Sequence, residues 1–65
     1  MADWKERLVQ EKSDLDETLT KLANFMGSDK FLSLDIIGQY LLRMQRSHMM
    51  EYSSILEARI AHHKG

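Results

Sequence analysis

The stretch Ile37 to Ile60, IGQYLLRMQRSHMMEYSSILEARI, constrains the fold more than any other part of the chain. Its apolar residues recur at helical intervals in two stripes, one through Ile37, Leu41, Met44, His48 and Ile55, the other through Ile36, Tyr40, Met49, Tyr52, Leu56 and Ile60. Together these exceed the roughly 100° arc with which a helix faces a single core. Such a helix needs more cover than one partner provides, and a chain of 65 residues has only one other long segment to give. The surplus predicts a homo-oligomer.

Size leads to the same expectation. A single domain spanning 1–65 buries only about 60% of its unfolded surface, too little for comfortable stability without disulfides, metal or partner chains. Cysteine is absent, which removes disulfides and the commonest zinc ligand. The histidines fall into no recognised ligand spacing; His48 and Glu51, three apart, could ligate a metal from one helix face, but a lone His in an apolar stripe is more often a core or interface residue, so no metal is expected. His62 and His63 belong to a fraying terminus. Oligomerisation is the remaining source of stability, and five methionines suit an adaptable interface.

The first helix is expected from Asp3 to Met26. Asp3 can cap it, with Glu6 three residues on in the manner of an acidic capping box. Trp4, Leu8, Leu15, Leu19, Leu22 and Met26 follow with helical spacing, and one beat is missing at Glu11 and Lys12. That charged pair reads as a solvated gap, with a polar pocket as the alternative. Gly27 suits a left-handed helix end, and Ser28-Asp29 opens a short turn through Phe31 and Leu32. Phe31, Leu32 and Leu34 are expected to plug the end of the helical pair, and Ser33 to cap a second helix over about 34–62. At 1.5 Å per residue the helices measure roughly 35 and 43 Å. Gly38 is either a tolerated defect or a point of close approach by a backbone or ligand. The predicted fold is all-α: an antiparallel helical hairpin, about 3–26 and 34–62, assembling into a homo-oligomeric bundle.

Charge narrows the function classes. The net charge of −1 and pI near 6.3 argue against duplex DNA as a partner. Residues 1–26 carry six acids against four bases, whereas residues 27–65 carry five bases against four acids. The N-terminus lacks the apolar segment of a signal peptide, and no run approaches the ~20 apolar residues of a membrane span, so an intracellular protein without membrane contact is expected. No nucleophile triad, phosphate-cradling glycine loop or catalytic carboxylate pair stands out, and an enzyme is not expected.

The residues that can bind something are cationic and aromatic. Arg43 and Arg46 lie three apart on the long helix with Arg59 further on; each reads singly as part of a solvated face making weak salt bridges with acids of the first helix, and together as a fork for phosphate oxygens. Trp4, Arg7 and Glu11 place an aromatic, a cation and an acceptor in one row, the set a purine-binding pocket uses when a ring stacks on the base. Tyr52 is a second candidate stacking surface.

The runs WKERLVQEKSDLDETLTKLANFM, SDKF and LLRMQRSHMMEYSSILEARI resemble a family of very small phage proteins with an aromatic-x-x-Arg-Leu start, a Glu-Lys-x-x-Leu middle, a Ser-x-x-Phe turn and a closing Gln-x-x-x-Met-x-x-Tyr-x-x-Ile-Leu-x-x-Arg-Ile. The closing motif here is Gln45, Met49, Tyr52, Ile55, Leu56, Arg59 and Ile60. That group is similar to the phage anti-CBASS sponge proteins, helical homo-oligomers that sequester cyclic oligonucleotide immune messengers without cleaving them. The resemblance implies ligand pockets between protomers. It makes Trp4 the counterpart of an N-terminal aromatic, usually tyrosine. Lys21 becomes the counterpart of a lysine, with Thr18 or Leu19 as alternatives in a shifted register, and Arg59 that of an arginine serving cyclic trinucleotides. The expected site is Trp4, Arg7, Glu11, Lys21, Tyr52 and Arg59; the expected ligand is a cyclic di- or trinucleotide, with no cofactor, and the expected setting is the cytoplasm of an infected bacterium. The alternatives are a helical module that inhibits a host protein through its Met-rich face, and a small dimeric RNA-binding bundle.

Overall fold

A computed structural model describes residues 4–62, so the expected cap Asp3 and the terminal His63 lie outside the described residues. The described chain is three helices: α1, Trp4–Met26; α2, Asp29–Leu32; and α3, Ile36–His62. Helices α1 and α3 pack antiparallel as a hairpin with α2 at the closed end, and the whole measures 47 × 18 × 14 Å.

The seam between the long helices is a pair of strict heptad stripes. On α1 the inward positions are Lys5, Leu8, Lys12, Leu15, Leu19, Leu22 and Met26, all buried or half-buried, spaced three and four alternately. On α3 they are Leu42, Met49, Ser53, Leu56 and Ile60, with the exposed Arg46 at the remaining beat. Alternating three-four spacing keeps a straight row of side chains turned toward one neighbouring helix, as in a coiled coil. Of the two apolar stripes expected on the long helix, only Met49, Leu56 and Ile60 of the second face α1. Ile36, Tyr40 and Tyr52 of that stripe, and the whole Ile37–Leu41–Met44–His48–Ile55 stripe, are exposed. Leu42 and Ser53 complete the inward row in their place. Among the described residues Leu8, Phe31 and Leu56 are the buried hydrophobics, and Leu56 alone is fully sealed at 0% exposure.

The missing beat on α1 is a polar joint. Lys12 Nζ lies 2.6 Å from Asp16 Oδ2, and the Ser53 hydroxyl donates to Asp16 Oδ1 at 2.6 Å, linking α1 to α3 across the seam. Lys12 is half-buried and paired, so the polar-pocket alternative holds at this residue, while Glu11 is solvated. The Lys12 ammonium, through its hydrogen bond, holds the Asp16 carboxyl below the usual carboxylate range, and the Ser53 hydroxyl adds to this. The hydrogen bond that Lys12 donates to Asp16 raises the Lys12 ammonium in turn.

The closed end departs from expectation in three places. Gly27 does not adopt a left-handed conformation; its N–H continues the helix onto Ala23 and Asn24 carbonyls, and the turn is closed by the Ser28 amide and hydroxyl, both donating to the Phe25 carbonyl. Of the three expected plugs only Phe31 is buried, edge-on to Phe25 with ring centroids 6.3 Å apart, whereas Leu32 and Leu34 are 69% and 36% exposed. Ser33 ends α2, its hydroxyl donating to the Lys30 carbonyl, and α3 begins two residues later than expected. The cap of α3 is Asp35, whose Oδ1 accepts the Gly38 amide at 2.7 Å. A carboxylate at this point also complements the positive end of the helix dipole. It explains Gly38, because a Cβ there would lie 2.8 Å from Asp35 Oδ1. The close neighbour is thus the chain's own cap.

Candidate functional site

The hairpin has two long edges, told apart by the groups that meet across them. One edge carries Asp16, Thr20 and Ala23 of α1 and Ser53, Met50 and Arg46 of α3. Here Ser53 reaches Asp16, and Leu19, Thr20, Ala23, Arg46 and Met50 line an open concavity of about 240 Å³. Helical phase turns Arg7, Glu11 and Lys21 to the other flank of the α1 seam, and Tyr52 and Arg59 to the other flank of the α3 seam. These five expected site residues therefore share the second edge. Trp4, in the first turn of α1, is half-exposed at 51%.

They do not form one cluster within a chain. Trp4 and Lys21 are seventeen residues apart on one helix, roughly 25 Å at 1.5 Å per residue. Lys21 is highly exposed and occupied by an ion pair of 3.5 Å with Glu17. The Asp16–Ser53 bond sets the register of the pair and puts Arg59 six residues, roughly 9 Å, further toward the open end. Trp4, Arg7, Glu11 and Arg59 thus belong to the open half of the hairpin, and Lys21 to the closed half. Tyr52, 42% exposed, lies beside the crossing of Ser53 and Asp16.

The arginines differ in what they touch. Arg43 lies over the face of Phe31, 5.5 Å from its centroid, and so steadies the closed end. Arg7, Arg46 and Arg59 make no ion pair among the described residues, so the expected salt bridges between the long helix and the acids of α1 do not form. Unpaired guanidinium groups remain available to an anion, with five donors each in a fixed fork. A second concavity of about 400 Å³ is lined by Lys5, Glu6, Val9 and Gln10. None of the six expected residues lines either concavity among the described residues. Nor do His48 and Glu51 belong to any group of three or more potential metal ligands there. No helix of the described residues is long and apolar enough to cross a membrane.

Sequence reasoning missed Arg46 as a groove residue and Ser53 as the α3 end of the polar joint. The signal for Ser53 lies in the heptad: it stands four after Met49 and three before Leu56, a small hydroxyl in an apolar row. For Lys12 and Asp16 it is the four-residue spacing of opposite charges.

The chain is 34% identical over 64 residues to a 7.5 kDa protein encoded in the denB–rIIB intergenic region of Enterobacteria phage T4, covering 98% of this chain and 100% of that protein. No solved structure matches. Residues 2–62 match the Sequestin family, and the chain belongs to that family.

Proposed function

We propose that this protein is a phage-encoded sponge that binds cyclic di- or trinucleotide immune messengers without cleaving them, in the cytoplasm of the infected bacterium, and so blocks CBASS-type signalling. The observation that carries the reading is the pair of unpaired guanidinium groups, Arg7 and Arg59, on the same edge as Tyr52 and in the same half of the hairpin as the half-exposed Trp4. Aromatic faces stack on bases and guanidinium forks take phosphate oxygens, which together is the chemistry a cyclic nucleotide presents. The family's name, which points to sequestering, and the phage relative support the same direction.

Because Lys21 stands about 25 Å from Trp4 along α1, a pocket using both takes them from different protomers of a homo-oligomer. Sequestration then works by mass action: the protein must be abundant and hold its ligand more tightly than the immune effector does. The chain contributes binding groups only, and no catalytic role is proposed for any of them.

Calorimetry with a panel of cyclic di- and trinucleotides tests this. Binding to at least one member is expected, weakened about tenfold or more by Trp4→Ala and by Arg59→Ala, in line with the ~1–3 kcal/mol that a base-stacking aromatic contributes. No binding to any of them at micromolar protein would sink the proposal.

A further inference from the structure

α3 carries a second strict heptad stripe on the side turned away from α1: Ile37, Leu41, Met44, His48, Glu51, Ile55 and Ala58, spaced four, three, four, three, four and three. Ile37, Leu41, Met44 and Ile55 are 65, 59, 39 and 57% exposed, and Tyr40 and Tyr52 flank them. A 3.5-residue repeat sustained over three heptads is the spacing of a seam for another helix. Because α1 is engaged by the opposite face, the helix that fits comes from another molecule.

We propose that this stripe pairs with the same stripe of a second copy of the chain, α3 antiparallel to α3′ about a two-fold axis, with His48 opposite the partner copy's Glu51 and Glu51 opposite its His48. This deepens the reading above, from which it takes only that the chain self-associates. Three features favour it. An isologous interface needs one patch that complements itself, and the central His–Glu pair does so twice under a two-fold rotation. A parallel pairing would set the two Glu51 carboxylates against each other, so charge selects the antiparallel arrangement. Sliding the antiparallel pair by one heptad would put Glu51 against Leu41 and His48 against Met44, leaving buried polar groups without partners.

In the proposed register the polar pairs meet at the centre, Met44 packs on Ile55 to either side, and Leu41 packs on Ala58 beyond. Four exposed aliphatic side chains and two tyrosines at roughly 100 Å² apiece give about 600 Å² per protomer, approaching the ~800 Å² per partner of a standard stable interface. Tyr52 borders this seam and Arg59 lies on its flank, so dimerisation brings that edge of two hairpins together.

The native chain has no cysteine, so introduced pairs report the register directly. Met44→Cys/Ile55→Cys in the full chain is expected to give a covalent dimer on mild oxidation, and Ile37→Cys/Ile55→Cys is not. Positions 44 and 55 are about 16 Å apart along one helix, beyond the ~7 Å Cα separation a disulfide permits, so any bridge joins two chains. The reverse pattern would overturn the register. Sedimentation equilibrium supplies a second readout. His48→Glu is expected to raise the dimer dissociation constant about tenfold or more by facing carboxylate with carboxylate, and His48→Glu/Glu51→His to return it to within about threefold of wild type. Failure of that rescue, or a helical monomer at all concentrations, would overturn the seam. Nucleotide binding measured on the same samples separates the two proposals: ligand bound without these bridges sinks the seam alone, and bridges without ligand sink the sponge alone.

Discussion

Two adjacent residues, Leu56 and Ile55, show how the faces of α3 differ. Leu56 is fully buried against α1, and Ile55, one step and 100° around the helix, is 57% exposed. Both faces repeat every 3.5 residues and both are apolar at most beats, so hydrophobicity does not distinguish them. The inner face is crossed by a polar joint that already has its partners, Lys12, Asp16 and Ser53. The outer face is crossed by His48 and Glu51, both exposed and with no hydrogen bond or ion pair to α1 or α2 among the described residues. The difference shows that a seam is defined by where its polar residues find partners as much as by its apolar row.

Truncating each residue tests that contrast most sharply. Leu56→Ala is expected to cost about 2–5 kcal/mol of unfolding free energy, whereas Ile55→Ala in dilute monomer should stay within about 0.5 kcal/mol. Equal losses in chemical denaturation of dilute protein would break the comparison. Next comes the start of α3. Asp35→Ala should cost about 1 kcal/mol through loss of the cap, and Gly38→Ala should also destabilise, since its methyl meets the cap carboxylate and offsets the helix propensity it adds. A more stable Gly38→Ala variant by thermal melting would refute that account.

The polar joint gives a smaller, pH-dependent effect. Asp16 is depressed below its ordinary value of 3.8, so its contribution is present above that value and is lost as pH falls through the lower folded one. Lys12 is raised above 10.5, so its contribution is present below that value and is lost as pH rises through the higher folded one. Stability from the joint is therefore level from about pH 5 to about pH 10 and falls on both sides. Asp16→Asn should lower the melting temperature at pH 7 and narrow its gap to wild type at pH 3; a constant gap would remove the joint from the seam's energetics. Smallest of all is Gly27→Ala. A Cβ there meets only carbonyl oxygens at 3.7 and 3.8 Å and no left-handed backbone is needed, so the change should fall within about 0.5 kcal/mol of neutral.

Much of this architecture was legible in the sequence because helical periodicity is a local signal. The two long helices, the break after Met26 and the short turn through Phe31 all follow from spacing and from Gly27-Ser28-Asp29. The face of α3 that meets α1 was not legible in the same way. Two apolar rows of similar quality compete, and the winner contains Ser53 and Arg46, residues a hydrophobic pattern discards. The cap of α3 was misplaced at Ser33 because serine and aspartate cap about equally well. Only Gly38, three residues after Asp35, marks the right one. Of the candidate site, the edge shared by Arg7, Glu11, Lys21, Tyr52 and Arg59 follows from phase, whereas the 25 Å between Trp4 and Lys21 follows from helix rise and divides the set.

A layer two helices wide and 14 Å thick has almost no inside. With the buried hydrophobics among the described residues reduced to Leu8, Phe31 and Leu56, most substitutions alter what the molecule shows to others before they alter whether it folds. For a protein whose use lies in its surface, that geometry separates innovation from collapse: edges can drift toward new ligands while a few heptad positions keep the shape.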